Sequence, residues 1–170
     1  MPQKKTAPAK SRLVTPPPAD DPRVSLTEEA RRALSESRWS DAEALCRKGL
    51  VFGADAQLEE MLGEAALRLG RHGEATVCFT RALAIAEEGS PVWLDAATHR
   101  ARLLLQSGQS DEAAKLLEVV TQKRPDEVSP RRSYALALRR LKDFIGVERE
   151  LRALVRLLPD NIDVAIELCW

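Results

Sequence analysis

The side chains able to do chemistry in this chain are few, and their spacing argues against catalysis. His72 and His99 stand far apart, and neither belongs to a histidine-glutamate pattern of the zinc-protease kind. Cys46, Cys78 and Cys169 are odd in number and lack the paired spacing of a zinc site or a redox dithiol, so they read as free thiols of a reducing compartment. No glycine-rich phosphate loop and no serine or cysteine nucleophile signature is present in the sequence. These absences predict a segment that is not an enzyme and uses no cofactor or metal. They leave both histidines as solvated or locally hydrogen-bonded side chains. What remains is charge, above all the planar arginine fork, which grips carboxylates and phosphates bidentately. The available chemistry is reversible recognition.

Lys plus Arg equals Asp plus Glu at 26 each, so the summed charge exerts no long-range pull on nucleic acid or an anionic membrane. A local basic cluster, Arg131, Arg132, Arg139, Arg140 and Lys142, points the other way. It comes without stacking aromatics or a recurrent base-reading pair, so nucleic acid is not the expected partner. No stretch has the unbroken apolar length to span a bilayer, and no apolar signal core follows the N-terminal charges. The default location is therefore the cytoplasm.

Recognition needs a frame, and the composition predicts a helical one. Ala, Leu, Glu and Arg dominate while aromatics make up only 4%, and these residues lose little rotamer freedom in a helix. Residues 1–23 differ, with Pro16, Pro17 and Pro18 in a row among Lys, Ala and Ser. Such a segment buries too little apolar surface to offset its ordering entropy and is expected to be a disordered tail. From residue 24 the chain repeats itself. Ala42, Ala75, Ala113 and Val147 each follow a short polar turn at the start of a predicted helix, at spacings of 33, 38 and 34. Pro125 and Pro159 repeat the last spacing independently, and the four extra residues of the middle interval fall in Glu87 to Ser90. Gly70 and Gly108 suit left-handed turns after a helix. Ser40 with Glu43, and Ser129 before Pro130, suit helix starts.

These residues resemble the tetratricopeptide repeat. The second unit carries the pattern best, with Leu62-Gly63, Ala66, Gly70, Ala75, Phe79 and Ala82. The third offers Ala101, Leu104, Gly108, Ala113, Leu117 and Pro125, and the fourth Tyr134-Ala135, Leu138, Phe144, Leu151 and Pro159. The first is weaker, with Ala30, Ala33, Trp39, Ala42, Cys46 and Leu50. The resemblance implies an all-α, right-handed solenoid of antiparallel helix-turn-helix repeats over residues 24–170. Its units fall at about 24–55, 56–93, 94–127 and 128–161, with a partial fifth at 162–170. Small residues such as Gly63, Ala101 and Ala135 let helices approach, and Leu62, Phe79, Leu83, Leu117 and Leu151 fill the space around them.

The resemblance further implies a protein-interaction scaffold whose concave side, lined by the first helix of each repeat, holds a peptide or partner domain. Carried onto this sequence, the partner-binding positions are Glu60, Glu64, Arg68, Thr98, Arg102, Arg132 and Arg139, with Thr27, Arg31, Asp95 and Gln106 beside them. Arg102, Arg132 and Arg139 are the leading candidates for ligand contact. The competing account is a solvated face of i,i+4 ion pairs, which Glu64 and Arg68 already fit. Acids at positions 60 and 64 argue against a clamp for a terminal carboxylate. A second functional reading is the substrate-docking repeat region of a larger glycosyl- or sulfotransferase-like enzyme. Asn161 to Trp170 begin a further helix and stop on an apolar run, which predicts an N-terminal fragment of a longer protein and a place for self-association.

Overall fold

The computed structural model describes residues 21–159. The tail up to residue 20 and the partial unit at 162–170, with Cys169 and the apolar C-terminal run, lie outside these residues. Among them there are eight α-helices and no strand: α1 (Pro22–Ser35), α2 (Trp39–Leu50), α3 (Ala56–Arg68), α4 (His72–Ile85), α5 (Pro91–Gln106), α6 (Ser110–Lys123), α7 (Val128–Arg140) and α8 (Phe144–Leu157). The fold is an all-α helical-repeat solenoid. The first helix starts at Pro22, inside the segment expected to be tail, because the Asp21 carboxylate caps it by accepting from the Arg23 N–H at 2.9 Å and Pro22 suits the first turn.

Four hairpins follow one another, α1 with α2, α3 with α4, α5 with α6 and α7 with α8. Each turns in three residues through the same device. Ser37, Gly70, Gly108 and Lys142 take left-handed backbone, with φ of 59°, 76°, 82° and 63°. The next residue, Arg38, Arg71, Gln109 or Asp143, donates its N–H back to Ala33, Ala66, Leu104 or Leu138 at 2.8, 2.8, 2.8 and 3.0 Å. That is the Schellman closure, which satisfies carbonyls a helix end would otherwise leave bare. The spacings of these four residues are again 33, 38 and 34.

So short a turn moves the helix starts. Ser40 is not the cap of α2, because the helix begins at Trp39 directly after the Schellman bond, and the Arg38 side chain makes no capping bond. The Glu43 carboxylate turns outward instead, to Arg71 and to Arg47 at 2.9 Å. Ser129 is likewise inside α7, whose N-cap is Glu127. Pro130 is tolerated there because first-turn N–H groups lack helical partners anyway. The serine-proline start is made by Ser90 and Pro91 at α5, where the hydroxyl accepts from the Trp93 N–H at 3.4 Å.

Within each hairpin a small residue of the first helix faces a larger one of the second. The repeat spacing pairs Ala30 with Cys46, Gly63 with Phe79, Ala101 with Leu117 and Ala135 with Leu151, and all eight are buried. The second pair is the tightest. A β-carbon on Gly63 would sit 2.7 Å from Phe79 Cε1, below any van der Waals contact, so the phenyl ring occupies the space a side chain would need. Leu83, expected in the core, is only half-buried, at the margin where α4 meets α5.

Successive first helices pack against one another, α1 with α3, α3 with α5 and α5 with α7, whereas among the described residues no two second helices come as close. Closer spacing on one side curls the stack, and it places the first helices on the inner side.

Candidate functional site

A groove of about 490 Å³ crosses α1, α3 and α5 on that inner side. Leu34, Met61, Pro91 and Val92 supply apolar surface to it, and Arg31, Gln57, Glu60, Glu64, Asp95 and His99 supply polar groups. Helical periodicity explains who lines it. Gln57, Glu60, Met61 and Glu64 fall on one stripe of α3, and Asp95 and His99, four residues apart, fall on one stripe of α5 that continues to Arg102. The repeat spacing makes Thr27, Glu60, Thr98 and Arg132 one row along the stack, and Arg31, Glu64 and Arg102 another.

The carboxylates differ in how they are held. Asp95 pairs with Arg124, Glu64 pairs with Arg68 at 3.5 Å, and the Arg68 guanidinium lies over the Trp39 ring, 5.3 Å from its centre. Arg31 is engaged by Glu28 at 2.5 Å. Glu60 has no hydrogen bond and no cation among the described residues. Burial first, then the negative charges of Glu64 and Asp95, push its pKa up to about 8. Its proton is therefore held near neutrality.

His99 departs from the expected solvated histidine. Its ring stacks on Phe79 with centroids 5.1 Å apart and planes at 9°, and its Nδ1 is buried without a hydrogen-bond partner. Burial chiefly lowers its pKa; Glu64 and Asp95 oppose that shift while Arg102 and Arg68 reinforce it. The stack requires Phe79 from the second helix, and nothing in the local sequence around His99 signals that neighbour.

Of the sequence-derived candidates, Glu60 and Glu64 line the groove, and Arg68 and Arg102 lie near enough to His99 to act on its charge. Thr98 lies on the same helix, half-buried, and donates its hydroxyl to the Leu94 carbonyl at 2.8 Å. Thr27 is buried and bonds the Arg23 carbonyl at 2.7 Å, which removes it from the surface. Arg132 and Arg139 are exposed on α7, beyond the groove, and form no ion pair among the described residues. Arg139 stands where the earlier repeats carry Leu34, Leu67 and Leu105. The neighbouring basic cluster is partly tied into the fold. Arg131 pairs with buried Glu150 and donates to the Pro125 carbonyl at 2.8 Å, and Arg140 donates to the Leu105 carbonyl.

Other chemistry is sparse. Cys46 and Cys78 share a core cluster, and burial pushes their thiols up to about 12 and about 11, which makes them poor nucleophiles. His72 is exposed at the first residue of α4. Among the described residues no group of three or more His, Cys, Asp or Glu side chains could hold a metal ion, and no helix is long and apolar enough to cross a membrane.

Stacked hairpins closed by Schellman turns, with a groove along their first helices, make a helical-repeat solenoid similar to that of tetratricopeptide-repeat proteins. The family model of the tetratricopeptide repeat matches residues 66–141. No curated protein sequence matches the chain. Among solved structures, MamA AMB-1 superposes with a TM-score of 0.72 at 23% identity, over 86% of this chain and 78% of that one. MamA from Desulfovibrio magneticus RS-1 does so at 0.72 and 19%, over 86% and 82%. YrrB, described as a TPR protein with an unusual peptide-binding site, matches at 0.69 and 16%, over 89% and 77%.

Proposed function

We propose that this chain is a protein-interaction scaffold that holds an extended peptide in the groove across α1, α3 and α5. The observation that carries this reading is the groove itself, with apolar Leu34, Pro91 and Val92 beside Glu60, a carboxyl group with no partner among the described residues. Apolar surface provides affinity, and unpaired polar groups gain most from a ligand because they give up no internal bond. Peptide binding by YrrB, a structure of the same fold, supports the same conclusion.

Selection of displayed random dodecapeptides on the immobilised protein tests it. Enrichment should be lost in Val92→Arg, which obstructs the groove from a half-buried position, and that variant should keep its helical circular dichroism. Peptides that bind the variant equally well would place the binding surface elsewhere and end this reading.

A further inference from the structure

The charges along the first helices are graded, and the gradient has a direction. On α3 the row holds Glu60 and Glu64, on α5 Asp95 is followed by Arg102, and on α7 the position of Glu60 is taken by Arg132. Pairing within the protein takes up Glu64 and Asp95, which face Arg68 and Arg124, but leaves both ends of the gradient open. Glu60 has no cation among the described residues and gives up the proton it holds near neutrality when a ligand cation approaches, and Arg102 and Arg132 form no ion pair among those residues. Arg31, which lines the same groove, is already engaged by Glu28.

Resting on the reading of the groove as a peptide site, we infer that its ligand is an extended segment of opposite polarity, with a lysine or arginine at α3 and acidic residues against Arg102 and Arg132. Packed helices lie about 8–10 Å apart, and an extended chain of the polyproline II kind advances about 3.1 Å per residue with about three residues per turn, so every third side chain faces the same way. One helix step is therefore roughly three residues, so the acids belong about three and six positions from the basic side chain. Matched charge gives such a ligand its register in the groove and excludes purely acidic or purely basic segments by repulsion at one end. The basic side chain meets Glu60, and its aliphatic stem covers Met61.

Fluorescence anisotropy with labelled synthetic dodecapeptides on one serine-leucine background tests this. Four probes are needed: uncharged, three lysines, three glutamates, and one lysine with glutamates three and six positions away. The mixed peptide should bind at least tenfold more tightly than each of the others. Glu60→Lys should invert the preference at the lysine position, and Arg132→Glu should remove the gain from the distal glutamate, with melting temperatures unchanged in both. Equal binding of all four probes, or a preference untouched by both variants, overturns the charge assignment while leaving a peptide groove in place. No binding by any probe, together with no enrichment from the random library, overturns both.

Discussion

The second and fourth hairpins make the same turn with different residues. In α3 and α4 the sequence keeps the repeat pattern, so glycine takes the left-handed position at Gly70 and Gly63 opens room for the fully buried Phe79. In α7 and α8 the left-handed position falls to Lys142, an alanine stands opposite Leu151, and Asp143 caps α8 by accepting from the Gly146 N–H at 2.9 Å. Phe144, in the aromatic turn position, is exposed there, as is Ile145. A buried ion pair, Arg131 with Glu150, ties α7 to α8, whereas in the second hairpin Glu59 reaches only exposed Arg81 at 3.7 Å. Backbone geometry is thus the conserved quantity along the stack. Side-chain chemistry varies around it, at a local cost in the fourth hairpin and with a close packing constraint in the second.

That constraint can be broken directly. Gly63→Ala should destabilise the protein by about 1–2 kcal/mol in urea denaturation, because overpacking against Phe79 outweighs alanine's better helix propensity. The double variant with Phe79→Leu should recover about 1 kcal/mol relative to the sum of the singles, since leucine faces alanine in the third and fourth hairpins. Additive effects would show that the glycine is not there for the phenyl ring.

The acidic groove adds a pH dependence that the fourth hairpin lacks at the equivalent Arg132. The pKa of Glu60 lies above the ordinary carboxylate range, at about 8, so the folded protein retains a proton that the unfolded chain has released. Its contribution is complete below the unfolded pKa and is lost as pH rises through about 8. Glu60→Gln should therefore be near-neutral at pH 4 and stabilising by about 2 kcal/mol at pH 9. A pH-independent difference in thermal melts would refute the raised pKa.

At the turns, Lys142→Gly should stabilise by roughly 1 kcal/mol, because a left-handed backbone is strained for a side chain with a β-carbon. Gly108→Ala, the reverse change one hairpin earlier, should cost a similar amount, and equal stabilities across the pair would contradict the assigned conformations. The smallest effect belongs to the exposed arginine of the gradient. Arg132→Ala should move the denaturation midpoint by less than about 0.5 kcal/mol, and a larger loss would mean that this side chain supports the stack.

Much of this was legible before any coordinates. The spacings of 33, 38 and 34, read from Ala42, Ala75, Ala113 and Val147, return as the spacings of the four left-handed turn residues, because a repeat must place its hinge at a constant offset from its packing positions. The inner-face positions Glu60, Glu64, Arg68 and Arg102 came from the resemblance to the tetratricopeptide repeat, and of these Glu60 and Glu64 line the groove. Helix starts were less legible. Ser40 and Ser129 carry capping chemistry, but a three-residue Schellman hinge and a first-turn proline put them inside their helices.

The sequence by itself therefore determined the repeat and its helices, consequences of short-range periodicity, while the inward face of the first helices was implied by the family resemblance. Only the tertiary structure decided which charges are left unsatisfied. Asp95 is quenched by Arg124 and Arg131 by Glu150, across gaps of 29 and 19 residues, while Glu60 keeps no partner and His99 rests on Phe79 from 20 residues earlier. Pairing and burial depend on neighbours brought together by packing, and it is those neighbours that set apart a solvated surface charge from one held for a ligand.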